Sequence, residues 1–261
     1  MSSYLLLKTQ KNYLKGDRLI TPRFDDEFGA TYVLMEPGNF QMGDSVGDGL
    51  ARELPVHNVE ISNPFFIGQR PVTQIHWASV MGTNPAKFQE GWSSGLRPVE
   101  QVSRVDCLDF IDRLNEIHNG VERLSLLGTW RLPTEAEWEY SAKSKTDTKW
   151  SFGNFDGDLD DFGWHAGNSG ASTREVGLKK SNNWDLYDMY GLVAEWCADN
   201  YRSDFSVRST QFPYHDDTDI FCHRGGSWFT ESDSTRSSSR GYSVGTKVSD
   251  GIGLRLVWEP D

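Results

Sequence analysis

Apolar and polar positions change period several times along the chain. Residues 32–42 alternate roughly, with Gly38 and Gly43 marking turns, which predicts a pair of strands. Residues 56–66 form a second strand-like run that Asn63-Pro64 interrupts, because proline has no N–H to give a ladder. A helix is expected from Thr73 to just before Gly82, burying Ile75, Trp77, Ala78 and Met81. The next helix spans 103–118, where Cys107, Phe110, Ile111, Leu114 and His118 recur at helical spacing and Asn119-Gly120 gives the stop. Thr134 followed by Glu137 is a capping box, the hydroxyl accepting from the amide of residue 137 and the carboxylate reaching back. It predicts a short helix to about Lys143. Residues 1–29 have no clear period and read as an N-terminal arm or edge element.

From Lys145 onward glycine, aspartate, serine and aromatics dominate, and no long helical pattern returns. Irregular stretches normally lie on the surface, so ten tryptophans, nine tyrosines and fourteen phenylalanines in one chain are expected to anchor these loops to a core. The 261 residues bound the answer at one large domain or two small ones, and with no linker or repeat in view 30–261 reads as one. No run of about 18 apolar residues exists, which excludes a membrane-spanning helix. The start lacks a secretory pattern, so the chain reads as cytoplasmic. Twenty-six basic against 38 acidic side chains, net −12, argue against nucleic acid as a partner. Cys107, Cys197 and Cys222 cannot build a disulfide framework or a paired-cysteine zinc site; Cys107 and Cys197 read as small core residues. Asp156-Gly-Asp-Leu-Asp160-Asp161 opens like a calcium loop but has Asp161 and Gly167 where glycine and glutamate are required, and reads as an acidic surface loop.

Several segments coincide in order: Met35-Glu-Pro-Gly-Asn-Phe-Gln-Met-Gly43, Pro71-Val-Thr73, Arg97-Pro-Val99, Arg131-Leu-Pro-Thr-Glu-Ala-Glu-Trp-Glu-Tyr140, Leu186-Tyr-Asp-Met189, Glu195-Trp196, Arg224-Gly-Gly-Ser-Trp228 and Ile252-Gly-Leu-Arg255. Together they resemble the formylglycine-generating-enzyme, or sulfatase-modifying-factor, domain, a branch of the C-type lectin fold. The resemblance covers roughly residues 30–258. It implies an α+β, C-type lectin-like fold with two main helices, small antiparallel sheets and extensive irregular loops.

The family includes copper-dependent oxidases, iron enzymes and non-catalytic binding proteins, so the site must decide. Counted from Ser227, the positions of the oxidases' two copper-binding cysteines hold Thr230 and Thr235, and a hydroxyl is a poor ligand for a soft ion. His57, His76, His118, His165, His215 and His223 show no paired spacing for an iron triad. What remains resembles the variable proteins of diversity-generating retroelements. There, 224–257 would be a diversified segment whose fixed frame includes Arg224-Gly-Gly-Ser-Trp228, Arg236-Ser237, Arg240 and the closing run from Ile252. The ligand-contacting residues would then be Phe229, Thr230, Glu231, Ser232, Asp233, Ser234, Tyr242, Ser243, Val244, Thr246, Lys247, Ser249 and Asp250. Short polar side chains with a few aromatics suit adaptable binding. Trp228 and Ile252, at fixed points, are expected to be buried. The resemblance also implies a structural calcium on Asp188, Gly191, Val193 and Glu195, with pairing of Glu195 to a nearby cation as the alternative. The resulting expectation is a non-catalytic protein, with no catalytic cofactor, that binds protein or peptide ligands. Its alternative is a mononuclear iron or copper oxidoreductase.

Overall fold

The computed structural model describes residues 22–206 and 213–261, together with the backbone of Leu14–Lys15 and Arg18–Leu19. Local capping chemistry sets its helices. Thr73 caps α1 (Gln74–Met81) and Gly82, at φ 71°, closes it. Ser103 and Asp106 form a reciprocal capping box at the start of α2 (Arg104–Ile117), and Thr134 and Glu137 do the same for α3 (Glu135–Lys143). A short α4 (Leu159–Phe162) follows the exposed acidic turn at Asp156–Asp158. The expected inner stripe of α2, Cys107, Phe110, Ile111 and Leu114, is buried. That of α1 is corrected: Ile75 is 53% exposed, Ala78 and Met81 are half-buried, and His76, Trp77 and Val80 face inward. Phe28 stacks on the His76 ring and Phe110 meets its edge, so a polar residue holds the place given by its hydrophobicity to Ile75.

The strands are β1 (Leu14–Lys15), β2 (Arg18–Leu19), β3 (Arg23–Asp25), β4 (Thr31–Met35), β5 (Gly38–Met42), β6 (His57–Ile61), β7 (Phe65–Gly68), β8 (Gly128–Arg131), β9 (Ala194–Asn200), β10 (Ile220–Arg224), β11 (Arg240–Val244), β12 (Ile252–Gly253) and β13 (Val257–Pro260). A five-stranded antiparallel sheet runs β3-β4-β7-β13-β8, and a four-stranded one runs β11-β10-β9-β12, parallel only at β12–β9. β1 pairs with β2, and β5 with β6. Residues 32–42 therefore do not fold back as one pair. Both neighbours of β4 are taken by β3 and β7, and the chain crosses at Glu36-Pro37 to a separate ribbon. Of the expected N-terminal arm, Arg23–Asp25 is the edge strand β3; most of residues 1–21 lie outside the described residues.

Period-two alternation splits the core in two. Tyr32, Leu34, Phe66 and Trp258 face one cluster with the inner sides of α1 and α2. Val33, Met35, Phe65, Ile67 and Val257 face the other, with Trp138 of α3. The irregular half of the chain is pinned to this second cluster by buried Trp150, Leu186, Met189 and Tyr190, as its aromatic content leads one to expect. All nine residues of α3 are buried, three glutamates among them. A buried carboxylate must be paired: Arg131, just before the helix, holds Glu137, while Glu135 and Glu139 find arginines at the far end of the chain. The three cysteines are free and buried.

Candidate functional site

Four arginines of the segment 224–257 carry buried carboxylate pairs. Arg240 holds Glu135 through two bonds, Nε–Oε1 2.6 Å and Nη2–Oε2 2.8 Å. Arg236 grips Glu53 the same way at 2.7 and 2.8 Å. Arg255 spans both oxygens of Glu195 at 2.8 and 2.9 Å. Arg224 donates to Glu139 and, at 2.8 Å, to the Ser238 carbonyl. Each arginine is at most 3% exposed. Burial alone would raise the Glu135 carboxyl, but the charges of Arg240 and Arg224 outweigh it and hold the group at about 2. The C-terminal segment is thus fastened to β9, to α3 and to the turn at Ala51–Glu53 by planar, two-pronged bonds.

Between these anchors the chain turns outward. Gly225 and Gly226 adopt φ 99° and 70°, and a Cβ on Gly226 would lie 2.8 Å from the Ser234 carbonyl, so the turn needs glycine. A cleft of about 300 Å³ opens between the two outward stretches. Of the expected contact residues, Phe229, Thr230, Ser234, Ser243, Lys247 and Ser249 line it. Glu231, Asp233, Tyr242, Val244 and Thr246 stand exposed outside its lining, and Ser232 and Asp250 are half-buried there. Trp228 is half-buried rather than buried: its indole N–H donates to the Asp250 carbonyl at 2.8 Å, and its ring packs between Phe88 and Phe229 near the surface. Ile252 is buried. Residues that sequence reasoning missed also line the cleft, chiefly Arg52 and His223. Only the cross-chain fold brings Arg52 there. His223 lies beside Arg224, and burial, with the Arg52 charge adding, pushes its ring down to about 4.

Thr230 and Thr235 are each held in place by hydrogen bonds. Both surround Gly226. Thr230 Oγ1 accepts from the Ser227 amide at 2.9 Å. Thr235 Oγ1 donates to the Ser232 carbonyl at 2.7 Å and accepts from Trp150 Nε1 at 3.1 Å. Among the described residues no group of three histidine, cysteine, aspartate or glutamate side chains is placed to hold a metal.

Among Asp188, Gly191, Val193 and Glu195, the residues expected to hold calcium, Glu195 is paired with a cation, as the alternative reading has it. The Arg255 guanidinium occupies both Glu195 oxygens, and Trp138 Nε1 donates to one of them at 2.6 Å. Asp188 Oδ2 accepts from the Gly177 amide at 2.7 Å, and Gly191 sits against the Trp164 carbonyl where no Cβ fits. Asp188 Oδ1 is buried without a partner, and burial pushes the carboxyl up to about 6. A raised carboxyl destabilises the folded state as pH climbs from the unfolded value near 4 to about 6. Asp188→Asn is therefore expected to raise the melting temperature above pH 6 and to lose that gain below about pH 4. A chelator should leave the wild-type melting curve in place; a fall in melting temperature on chelation would restore calcium.

Residues 21–260 match the family model for the sulfatase-modifying factor enzyme 1-like domain. The chain is similar to Treponema denticola variable protein 1, at TM-score 0.82 and 29% identity over 92% of this chain and 99% of that one. It is 31% identical to the formylglycine-generating enzyme of Thermomonospora curvata, over 87% of this chain and 83% of that protein. It is 26% identical to the chaperone protein LppX of Paenibacillus barcinonensis, over 86% and 88%. It spans little more than a third of the length of the chlamydial serine/threonine-protein kinases that it also matches.

Proposed function

The chain belongs to the sulfatase-modifying factor enzyme 1-like domain family, and from that premise we propose that it is a non-catalytic binding protein. Its ligand, a protein or peptide, meets the outward stretches of 224–257, as in the variable protein of a diversity-generating retroelement. The observation that carries this reading is the division of labour within the segment. Four arginines buried in carboxylate pairs hold its course, while Phe229, Ser234, Tyr242, Val244, Thr246 and Lys247 between them face solvent or the cleft. Such a segment can change its outward residues without touching the groups that fix its backbone. Likeness to Treponema denticola variable protein 1 supports the same reading.

The second reading, suggested by likeness to formylglycine-generating enzymes, is a copper or iron oxidoreductase. Against it stand two threonine hydroxyls, both already bonded to the backbone, where the oxidases' thiolates would bind copper. Purified protein supplied with copper or iron is expected to retain neither stoichiometrically and to consume no oxygen with a thiol substrate. Stoichiometric metal together with oxygen uptake would overturn the binding reading. The retroelement assignment has its own test in the DNA: a near-copy of the stretch encoding 224–257, differing mainly at adenines and beside a reverse transcriptase. If flanking DNA holds no such copy, that assignment falls and the binding function must stand on its other grounds.

A further inference from the structure

We infer that the cleft seats a carboxylate, the side chain of an acidic residue in a peptide ligand, between Arg52 and Lys247. The inference rests on the binding function proposed above and gives it a chemical preference. Acidic side chains outnumber basic ones by 38 to 26 in the whole chain, yet none lines the cleft, whereas Arg52, Arg240 and Lys247 do. Arg240 is neutralised by Glu135. Among the described residues the side chains of Arg52 and Lys247 have no carboxylate within ion-pair distance and no hydrogen-bond acceptor. The acidic members of the segment, Glu231 and Asp233, lie outside the lining.

Buried polar atoms point the same way. Ser227 is 1% exposed and lines the cleft, and its Oγ has no partner. Arg52 Nε is likewise buried without an acceptor. Unsatisfied buried donors are costly, and native folds leave few; both are donors suited to an anionic oxygen acceptor. His223 adds no charge at neutral pH, since burial pushes its ring down to about 4, so the cleft's positive charge comes from Arg52 and Lys247. Beside them the edge-to-face run Phe88–Trp228–Phe229 offers an apolar bed to the residue next to the anchor. The net charge of −12 does not cancel the local preference, because at physiological salt charges beyond about 8 Å are largely screened.

The test uses the full chain. A random-peptide phage library is panned on the wild type and counter-selected on a variant with Phe229, Thr230, Ser232, Asp233, Tyr242 and Ser243 replaced by alanine. Enriched peptides are expected to share an aspartate or glutamate. Synthetic copies with that residue changed to asparagine or glutamine should bind at least about tenfold more weakly, as should the parent peptides to Arg52→Gln and Lys247→Gln. Both substituted side chains lack partners, so melting temperatures should stay near wild type. Enriched peptides without a shared acidic residue, or amide copies that bind equally well, would overturn the inference and leave the binding function standing. No enrichment over the six-site variant would overturn both. Inorganic phosphate is the other source of an anion: if phosphate raises the melting temperature and the acidic peptides do not bind, the site serves a phosphate group and the peptide proposal fails.

Discussion

Glu135→Gln is expected to destabilise the protein by about 3–5 kcal/mol at pH 7, because it leaves a buried guanidinium without its counter-charge. Glu135 is 2% exposed and Arg240 2%, joined by two bonds of 2.6 and 2.8 Å, and Arg224 stands 3.6 Å away. Water cannot replace the lost carboxylate at such a site. The sign with pH follows from the depressed carboxyl. With a folded value of about 2 and an unfolded value near 4.3, the stabilisation is fully present above pH 4–5 and is lost as pH falls through 4 towards 2. The difference between wild type and variant should shrink over that window in denaturant titrations. Glu135→Leu with Arg240→Met should cost less than either single change, since no unpaired charge at Arg240 remains. A single-site cost below about 1 kcal/mol would show that the pair does not anchor the segment.

That anchoring was only half legible in the sequence. Thr134 and Glu137 announce the start of α3 because a capping box is local chemistry, and Ser103 to His118 announces α2 because its stripe is local periodicity. Nothing within Glu135-Ala-Glu-Trp-Glu says that the helix is buried on every side. The charges of Glu135 and Glu139 look like a solvated face until Arg240 and Arg224, far along the chain, are brought onto them. Register was hidden for the same reason: β5 pairs with β6 and not with β4, since β4 is filled on both edges by strands the local pattern does not mention. The stripe of α1 misled because His76 is held by aromatic rings contributed from elsewhere, Phe28 stacked on it and Phe110 edge-on. Family resemblance located the frame positions Arg224, Arg236 and Arg240. Geometry supplied their carboxylates, together with Arg52 and His223 in the cleft.

Replacing Phe229, Thr230, Ser232, Asp233, Tyr242 and Ser243 together with alanine is expected to leave the fold in place and abolish binding to peptides selected on the wild type. The six are not equally idle. Phe229 is 47% exposed and Tyr242 49%, and with Ser232 and Asp233 they lie where single substitutions usually change stability by no more than about 0.5 kcal/mol. Tyr242, however, stacks on Tyr201 at 4.2 Å, a pair worth about 0.5–1.5 kcal/mol beyond its burial. Thr230 carries the hydrogen bonds that close the turn at Ser227, worth about 1 kcal/mol, and Ser243 lies 3.3 Å from His223. The sum stays near 2–4 kcal/mol, at or below the 5–15 kcal/mol typical of a folded domain. All four arginine pairs and Ile252 remain. Ile252→Ala alone, at 6% exposure, should cost a comparable amount, about 2–5 kcal/mol, by lost burial and cavity formation. One buried aliphatic side chain thus weighs about as much in stability as the six together, whose loss removes ligand contacts. A six-site variant that unfolds at room temperature would place these side chains in the core, and the assignment of the outward stretches as the binding surface would fall with it.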